Sequence, residues 1–359
     1  MSKIDVEYHK LLNKILQEGY TYEDPNRKGV NRIEIPSYTF RHEFKDGFPA
    51  INTKKLHYKN VVTELIWFLR GDTNIKYLVD NGCNIWNKDA YNYYLKQAEG
   101  QSEKVILTFK EWLKEIKNGE YFLGDLGPVY GEQWRNIKQP IYEYGNYVAH
   151  NRLDQISNLI KGLKEKPLGT QHVVNSWNVG DLEDMALQPC HYGFQIVVRL
   201  LSLEEKENIC KNLGATWDLP FTEKIATKWN VPKYGFELHW SQRSVDTFLG
   251  LPYNIASYAT LALILEKITG HKALGIQGDL KKVHLYDNSL DAVKEQLSRN
   301  VNKCDKCELD IDDILSFELI KKDINYLDEG LLVIGAMDFE LQNYESYPAL
   351  AVEMLERDE

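Results

Sequence analysis

A single cysteine in "MALQPCHYGFQ", residues 185–195, stands between a proline and a histidine, just ahead of a period-two apolar segment. A free thiol at the start of a strand is either an inert small hydrophobe or a nucleophile, and the thiolate is the form that attacks carbon. His191 is not placed to be its base, because neighbouring residues on a strand point to opposite faces. A Cys-dependent hydrolase therefore lacks its proton acceptor. Activation of Cys190 has to come from a cation elsewhere, such as an arginine that also holds a phosphate.

Three further places concentrate chemistry. Glu64 lies three residues after Val61 and four before Phe68, on or beside the apolar face of a helix predicted from "YKNVVTELIWFLRG". Desolvation there raises a carboxyl's pKa toward the range useful for proton shuttling, whereas a place at the edge of the stripe leaves an ordinary solvated glutamate. Periodicity alone leaves both readings open. "HWSQRSVDTFLGLPYNIASY" crowds Gln242, Arg243, Ser244, Asp246 and Asn254 between a strand and a buried helix. Arg243 beside Ser244 offers a guanidinium fork and a hydroxyl, the groups of a phosphate seat. Asn254 reads on spacing as a helix N-cap, although an amide can also present a donor and an acceptor together to a flat heterocycle. "HLY" puts His284 and Tyr286 on one strand face, either as readers of a sugar hydroxyl or as two aromatics at a strand edge.

The elements that must position these groups are visible as patterns. One helix is predicted over residues 58–71, with Val61, Leu65, Phe68 and Leu69 in register, and a second from Thr73 to the Asn81-Gly82 stop. A third is predicted from "NRLDQISNLIKGLKEKP", with Leu153, Ile156, Ile160 and Leu163 in register and Pro167 ending it. "IASYATLALILEKITG" is apolar nearly all round and reads as a buried helix. Strands are predicted at "HVVNSWNV", "YGFQIVVRLL" and "FELHWSQRS". Residues 91–122 and 203–235 are more charged and Gly/Asn-punctuated, and read as small helical insertions at the surface. Helices and strands without regular alternation point to one α+β domain over 1–359 rather than a doubly wound sheet.

Composition sets the outer limits. With 359 residues, 43% of them hydrophobic, the chain can bury a large core. A net charge of −10 argues against nucleic acid as a bulk electrostatic partner, while a local basic pocket for a small anion remains allowed. "MSKIDVEYHKLLNKIL" carries no uninterrupted apolar signal region, and no run approaches the roughly 18 apolar residues of a membrane span. An odd set of five cysteines then reads as a reducing, cytoplasmic setting. Cys304 and Cys307 in "NKCDKCELD" lack a second ligand pair, so they read as two solvent-facing thiols and no metal is expected. No Gly-rich dinucleotide or ATP motif is present.

Taken together, "DGFPAINTKKLH", "TELIWFLRGDTNIKYL", "GDLGPVYGEQWR", "SWNVGDLEDMALQPCH", "QRSVDTFLGLPYNIASYA" and "HLY" resemble the thymidylate synthase family, in that family's order and across about residues 20–290. The resemblance implies an α+β fold whose large mixed sheet packs back-to-back in a homodimer with shared active sites. It implies one-carbon transfer from 5,10-methylenetetrahydrofolate to C5 of dUMP. Cys190 matches the nucleophile that adds to C6 of the pyrimidine, Glu64 the carboxyl managing protons around O4 and the folate, and Tyr130 the tyrosine associated with loss of the C5 proton. Asn254 matches the reader of uracil O4 and N3, where relatives acting on cytosine carry Asp. Arg27, Arg243 and Ser244 match phosphate ligands, Gln242 lies in the same nucleotide-binding motif, and His284 and Tyr286 match readers of the ribose 3′-hydroxyl. Asp246 matches the pterin-binding aspartate, with Gly250 in the same motif, Trp86 an aromatic wall, and Lys54 and His57 the folate side.

Three departures accompany the match. The family's adjacent arginine pair, donated to the partner subunit's phosphate, aligns with Thr170 and Gln171 in "LGTQHVVNSWNV". Charged hydrogen bonds contribute about 1.5–3 kcal/mol each, so their loss weakens phosphate binding unless other cations substitute. A second tryptophan near the folate is replaced by Asp89, and the tail from about 344 to 359, "YPALAVEMLERDE" at its end, is longer and more charged than the family's short apolar one. If water instead of hydride reaches the exocyclic methylene, the product is 5-hydroxymethyl-dUMP, as in viral pyrimidine hydroxymethylases of this fold. An idle nucleotide-binding relative is the other alternative, and intact Cys190, Glu64, Tyr130 and Asn254 argue against it.

Overall fold

A computed structural model describes residues 2–99, 106–218, 220–301, 307–311 and 339–355. The chain opens with α1 (Lys3–Glu18), capped by Ser2 and burying Tyr8, Leu11, Leu12 and Ile15 on one stripe. Strands β1 (Tyr20–Glu23) and β2 (Asn31–Glu43) follow, then α2 (Tyr58–Leu69), α3 (Lys76–Asp80), α4 (Asn87–Ala98), α5 (Phe109–Asn118) and α6 (Tyr130–Asn136). A hairpin of β3 (Ile137–Glu143) and β4 (Asn146–Leu153) leads to α7 (Gln155–Glu165), β5 (Val173–Asn175) and β6 (His191–Leu200). Next come α8 (Leu203–Asn212), α9 (Glu223–Lys228), β7 (Tyr234–Gln242), β8 (Val245–Asp246), α10 (Leu251–Thr269), β9 (Lys272–Tyr286) and α11 (Leu290–Ser298). The short pair β10 (Glu308–Ile311) and β11 (Phe339–Gln342) completes the described elements.

Among the described residues, seven strands form one mixed sheet in the order β1-β2-β9-β7-β6-β5, with β8 beside β9. β7 and β9 run parallel because α10 crosses between them, and β2, β6 and β5 join antiparallel. Helices α1 and α10 pack on this sheet. The inward side chains of β7, Phe236, Leu238 and Trp240, are fully buried, and α10 is apolar on most sides because it lies between the sheet, α2 and α7. The fold is α+β with a large mixed sheet, as its pattern predicted.

Several predicted boundaries move, each for a local reason. The helix expected from Thr73 begins only at Lys76. The Asp72 and Asn74 side chains accept from the Asn74 and Lys76 N–H groups at 2.9 Å, and such turns compete with helix. Leu153 belongs to β4, since Asp154 caps α7 by accepting from Ser157 N at 3.0 Å. Asn254 is not a cap: α10 starts four residues after Thr247, at Leu251, with Pro252 in its first turn, which leaves Asn254 inside the helix. Only Val173–Asn175 of "HVVNSWNV" is strand. Cys307 is buried at 5% exposure, contrary to the solvent-facing expectation, and Cys304 lies outside the described residues. The segment 91–122 carries a small core of its own, in which Trp112 and Ile116 are fully buried and Tyr91 meets both Phe109 and Trp112 at 5.3 Å.

Candidate active site

The site residues gather at one end of the sheet. Cys190 immediately precedes β6, and the pairing of His191 with Gln242 sets it beside Arg243, whose N–H donates to the Cys190 carbonyl at 2.8 Å. β8 lies parallel to the end of β9 with Asp246 opposite His284, and Tyr286 closes that strand. The first turn of α10 brings Asn254 to the same end through Gln242.

On the Tyr130 side of Cys190 the groups are buried and neutral. The Tyr130 hydroxyl accepts from the Cys190 N–H at 2.8 Å, and burial drives the phenol pKa well above its ordinary value, so it stays protonated. His191 stacks on Tyr130 at 4.3 Å, bonds Tyr258 through Nδ1 at 2.8 Å, and burial pulls its pKa down to about 3. It is a neutral packing group, as the strand alternation required. Gly127 brings the start of α6 against the 184 carbonyl: its φ is +71° and a Cβ there would sit 1.9 Å from the Asp184 oxygen.

Glu64 projects from α2 into this wall. Desolvation raises its carboxyl to about 7, against the opposing hydrogen bond from Trp86 Nε1 to Oε1 at 2.7 Å. Of the two readings left open by periodicity, the desolvated one holds. The bond also shows what sequence reasoning missed at Trp86: besides packing on Trp67 at 5.6 Å and Tyr130 at 6.1 Å, its indole holds the glutamate. Its spacing from Glu64, on a different helix, gave no signal.

Gln242 is a positioning group. It accepts from Trp240 Nε1 at 3.2 Å and donates to Ser244 O and Asn254 Oδ1, both at 3.1 Å. The Asn254 carbonyl is thereby oriented and its amide nitrogen left to donate to a ligand. Gly250, which precedes α10, permits close approach, since a Cβ there would meet the Asp246 carbonyl at 3.2 Å.

The other flank is charged. Arg243 donates from Nε to Pro189 O and from Nη2 to Gln188 O, each at 2.9 Å, and lies over the Trp177 ring at 5.4 Å. The structure therefore ties its fork to the backbone leading into Cys190. Ser244 is half-buried beside it. Arg27 donates to the Tyr286 hydroxyl at 2.9 Å, and His284 is buried with Nδ1 against Lys282 O at 2.8 Å. Asp246 Oδ1 accepts from Phe248 N at 3.1 Å and Leu249 N at 3.0 Å. Lys54 is buried over the Phe248 ring and donates to the Phe248 carbonyl, and desolvation lowers it to about 8. His57 is exposed three residues along the same loop.

A small cleft is lined by Arg27, Asp246, Leu249, Tyr286 and the chain's last described residues, Val352–Leu355. The Leu355 carbonyl meets Arg27 at 3.4 Å and the Glu353 carbonyl accepts from Asn288 at 2.9 Å, so the segment lies across the cleft as a strap. Arg299 Nη1 holds it further back, donating to Thr53 O and Pro348 O at 2.7 and 2.8 Å. Thr170 lies before β5, where its carbonyl accepts from Gln195 at 3.2 Å. Asp89 sits in the first turn of α4.

The thymidylate synthase family profile matches residues 6–356. A thymidylate synthase of Mycoplasma mobile is 33% identical over 96% of this chain and 97% of its own length. One of Mesoplasma florum is 32% identical over 97% and 99%, and one of Mycoplasma genitalium 35% identical over 82% and 85%. With a profile match over nearly its whole length and relatives of this identity and coverage, the chain belongs to the thymidylate synthase family.

Proposed function

We propose that the chain catalyses the reductive methylation of dUMP, giving dTMP. The observation that carries this reading is the pairing at one sheet end of Cys190, seated between Tyr130 and Arg243, with a glutamate whose carboxyl titrates near neutrality. The co-substrate 5,10-methylenetetrahydrofolate supplies both the one-carbon unit and the hydride, and leaves as dihydrofolate. Asp246 suits its pterin, because one carboxylate oxygen is fixed by two backbone N–H groups and the other remains for the pterin's N–H donors. Lys54, His57, Trp86 and Gly250 belong to that side of the site.

Cys190 Sγ adds to C6 of the uracil and pushes the ring's π electrons to C5 and O4, which makes C5 a carbon nucleophile. Asn254, held by Gln242, reads the base edge, and Glu64 passes protons at O4. C5 bonds the co-substrate's one-carbon unit, and loss of the C5 proton to water then breaks that unit's bond to the folate nitrogen. Hydride from tetrahydrofolate finally reduces the resulting exocyclic methylene and expels the Cys190 thiolate from C6. Protonated Tyr130 aligns the proton loss through its hydrogen bond and does not act as a phenolate base. Arg27, Arg243 and Ser244 bind the 5′-phosphate, and His284 and Tyr286 the ribose.

Incubation with dUMP and methylenetetrahydrofolate, with products identified by mass, tests the reading: thymidylate with dihydrofolate is expected, and a product one oxygen heavier with tetrahydrofolate overturns it. The relatives named above are called thymidylate synthases, which favours hydride over water.

A homodimer in the cytoplasm completes the proposal. No described helix is long and apolar enough to cross a membrane. The sheet face opposite α1 and α10 presents Gln195, Val197, Glu237, His239 and Ser241, a surface broad enough for a second copy, with Val197 44% exposed. Sedimentation at the mass of one chain would refute it.

A further inference from the structure

We infer that the buried Asp24–Arg32 ion pair is the positioning element that presents Arg27 to the phosphate of the nucleotide. The inference rests on the proposed binding of dUMP. The segment "YEDPNRKGVNRIEI" runs from β1 through a tight turn into β2. Asp24 closes that turn: its N–H donates to Val30 O at 2.7 Å, its carbonyl accepts from Arg27 N at 3.1 Å, and Oδ1 accepts from Asn26 N at 2.8 Å. The Asp24 side chain is wholly buried between two arginines, at 2.9 Å from Arg32 Nη1 and 3.7 Å from Arg27 Nη1.

That inequality matters. A buried carboxylate facing Arg27 alone would claim the guanidinium and compete with an incoming anion. Arg32 takes the shorter contact and is itself held by the Tyr22 hydroxyl at 2.6 Å and Glu34 at 3.2 Å, which pairs with Lys282 at 3.2 Å. The signs alternate from Arg27 through Asp24, Arg32 and Glu34 to Lys282, with one positive charge in excess. Arg27 stands at the cleft end of this row, stacked over Tyr286 at 4.9 Å. Asp24 fixes the turn that carries Arg27, and Arg32 keeps Asp24 from neutralising it.

The test measures KM for dUMP, KM for methylenetetrahydrofolate, kcat and competitive inhibition by inorganic phosphate in the full chain. In Arg32→Gln, KM for dUMP and the phosphate inhibition constant rise together by about tenfold, with kcat and the co-substrate KM within about twofold. Adding Asp24→Asn to that variant recovers most of the affinity, because no unpaired carboxylate is left to claim Arg27. A uniformly structural role predicts the opposite, with the double variant worse than either single one and both KM values moving. Equal phosphate inhibition in wild type and the folded Arg32→Gln variant overturns the inference. If that variant does not fold, Asp24→Ala alone decides, since Ala, unlike Asn, loses the Oδ1 acceptor that closes the turn: a tenfold rise confined to dUMP and phosphate supports the role of the turn, and an unchanged value removes it. Failure of the wild type to turn over dUMP strikes the proposed function instead.

Discussion

Two flanks of the candidate site solve opposite electrostatic problems. On the Tyr130 and Glu64 side of Cys190, the protein removes charge: Tyr130 is held protonated, His191 neutral, and Glu64 poised near pH 7, all chiefly by burial. Around Arg27, it keeps charge under burial by pairing, with Asp24, Arg32 and Glu34 each meeting an opposite partner within 4 Å. Aromatic packing suits the first task, because rings exclude water without adding charge. Ion pairing suits the second, because a bound phosphate needs a cation that is fixed yet not neutralised. The neutral flank should therefore govern kcat, and the charged flank KM for the nucleotide.

The sharpest way to break this division is Cys190→Ala. Removing the nucleophile should lower kcat by at least about 10⁴-fold while leaving dUMP binding within a few-fold. A variant that lost affinity as severely as rate would show that the thiol belongs to nucleotide binding, and the separation of flanks would fail. Equilibrium titration with dUMP beside single-turnover product formation measures both.

Glu64→Gln comes next. Loss of the titrating carboxyl should lower kcat by roughly 10²-fold and erase an inflection near pH 7 from its pH profile. The same substitution has a stability consequence whose sign follows from the direction of the shift. The folded carboxyl titrates near 7 and the unfolded one near 4.5, so the native state keeps a proton that the unfolded chain loses between those values. Stability conferred at low pH is thus lost as pH rises from 4.5 through 7. Gln carries no such charge, so at pH 8 the variant should be more stable than wild type by about 2–3 kcal/mol. Urea unfolding at pH 5 and pH 8 checks this, and an equal effect at both pH values would refute it.

The two flanks were not equally legible in the sequence. Glu64 and Asn254 stand inside periodic helices and Cys190 at the threshold of a strand, so a polar group beside an apolar pattern marked them, and the strand alternation correctly set His191 aside. The mixed sheet was only partly visible, since β9 is fifteen residues long and its polar stretch hides the strand. The N-cap reading of Asn254 failed because tertiary bonding through Gln242 gives the amide another place. Asp24 and Arg32 were invisible for a different reason: eight residues apart across a turn, they carry the composition of a solvated loop until β2 folds onto β9 and buries them. Burial of a charge is a property of the assembled sheet, and no local pattern reports it.

Trp86→Phe has the smallest expected effect and tests how the neutral flank is tuned. Phe keeps a ring against Trp67 and Tyr130 but removes the indole N–H that donates to Glu64 Oε1 at 2.7 Å. That bond stabilises the carboxylate and so opposes the rise caused by burial. Without it the inflection should move upward from about 7, by up to roughly one unit, since a hydrogen bond to a charged group is worth about 1.5 kcal/mol or more and one unit is about 1.4. At pH values above the inflection kcat should change by about three- to tenfold, and below it hardly at all. KM for dUMP should stay put, because Trp86 touches none of Arg27, Arg243 or Asp24. An inflection that stayed at its wild-type position would mean that burial alone sets the proton of Glu64 and that the indole is only a wall. A downward movement would mean that the carboxyl is held by water admitted through the smaller ring, and the neutral flank would then be wetter than its packing implies.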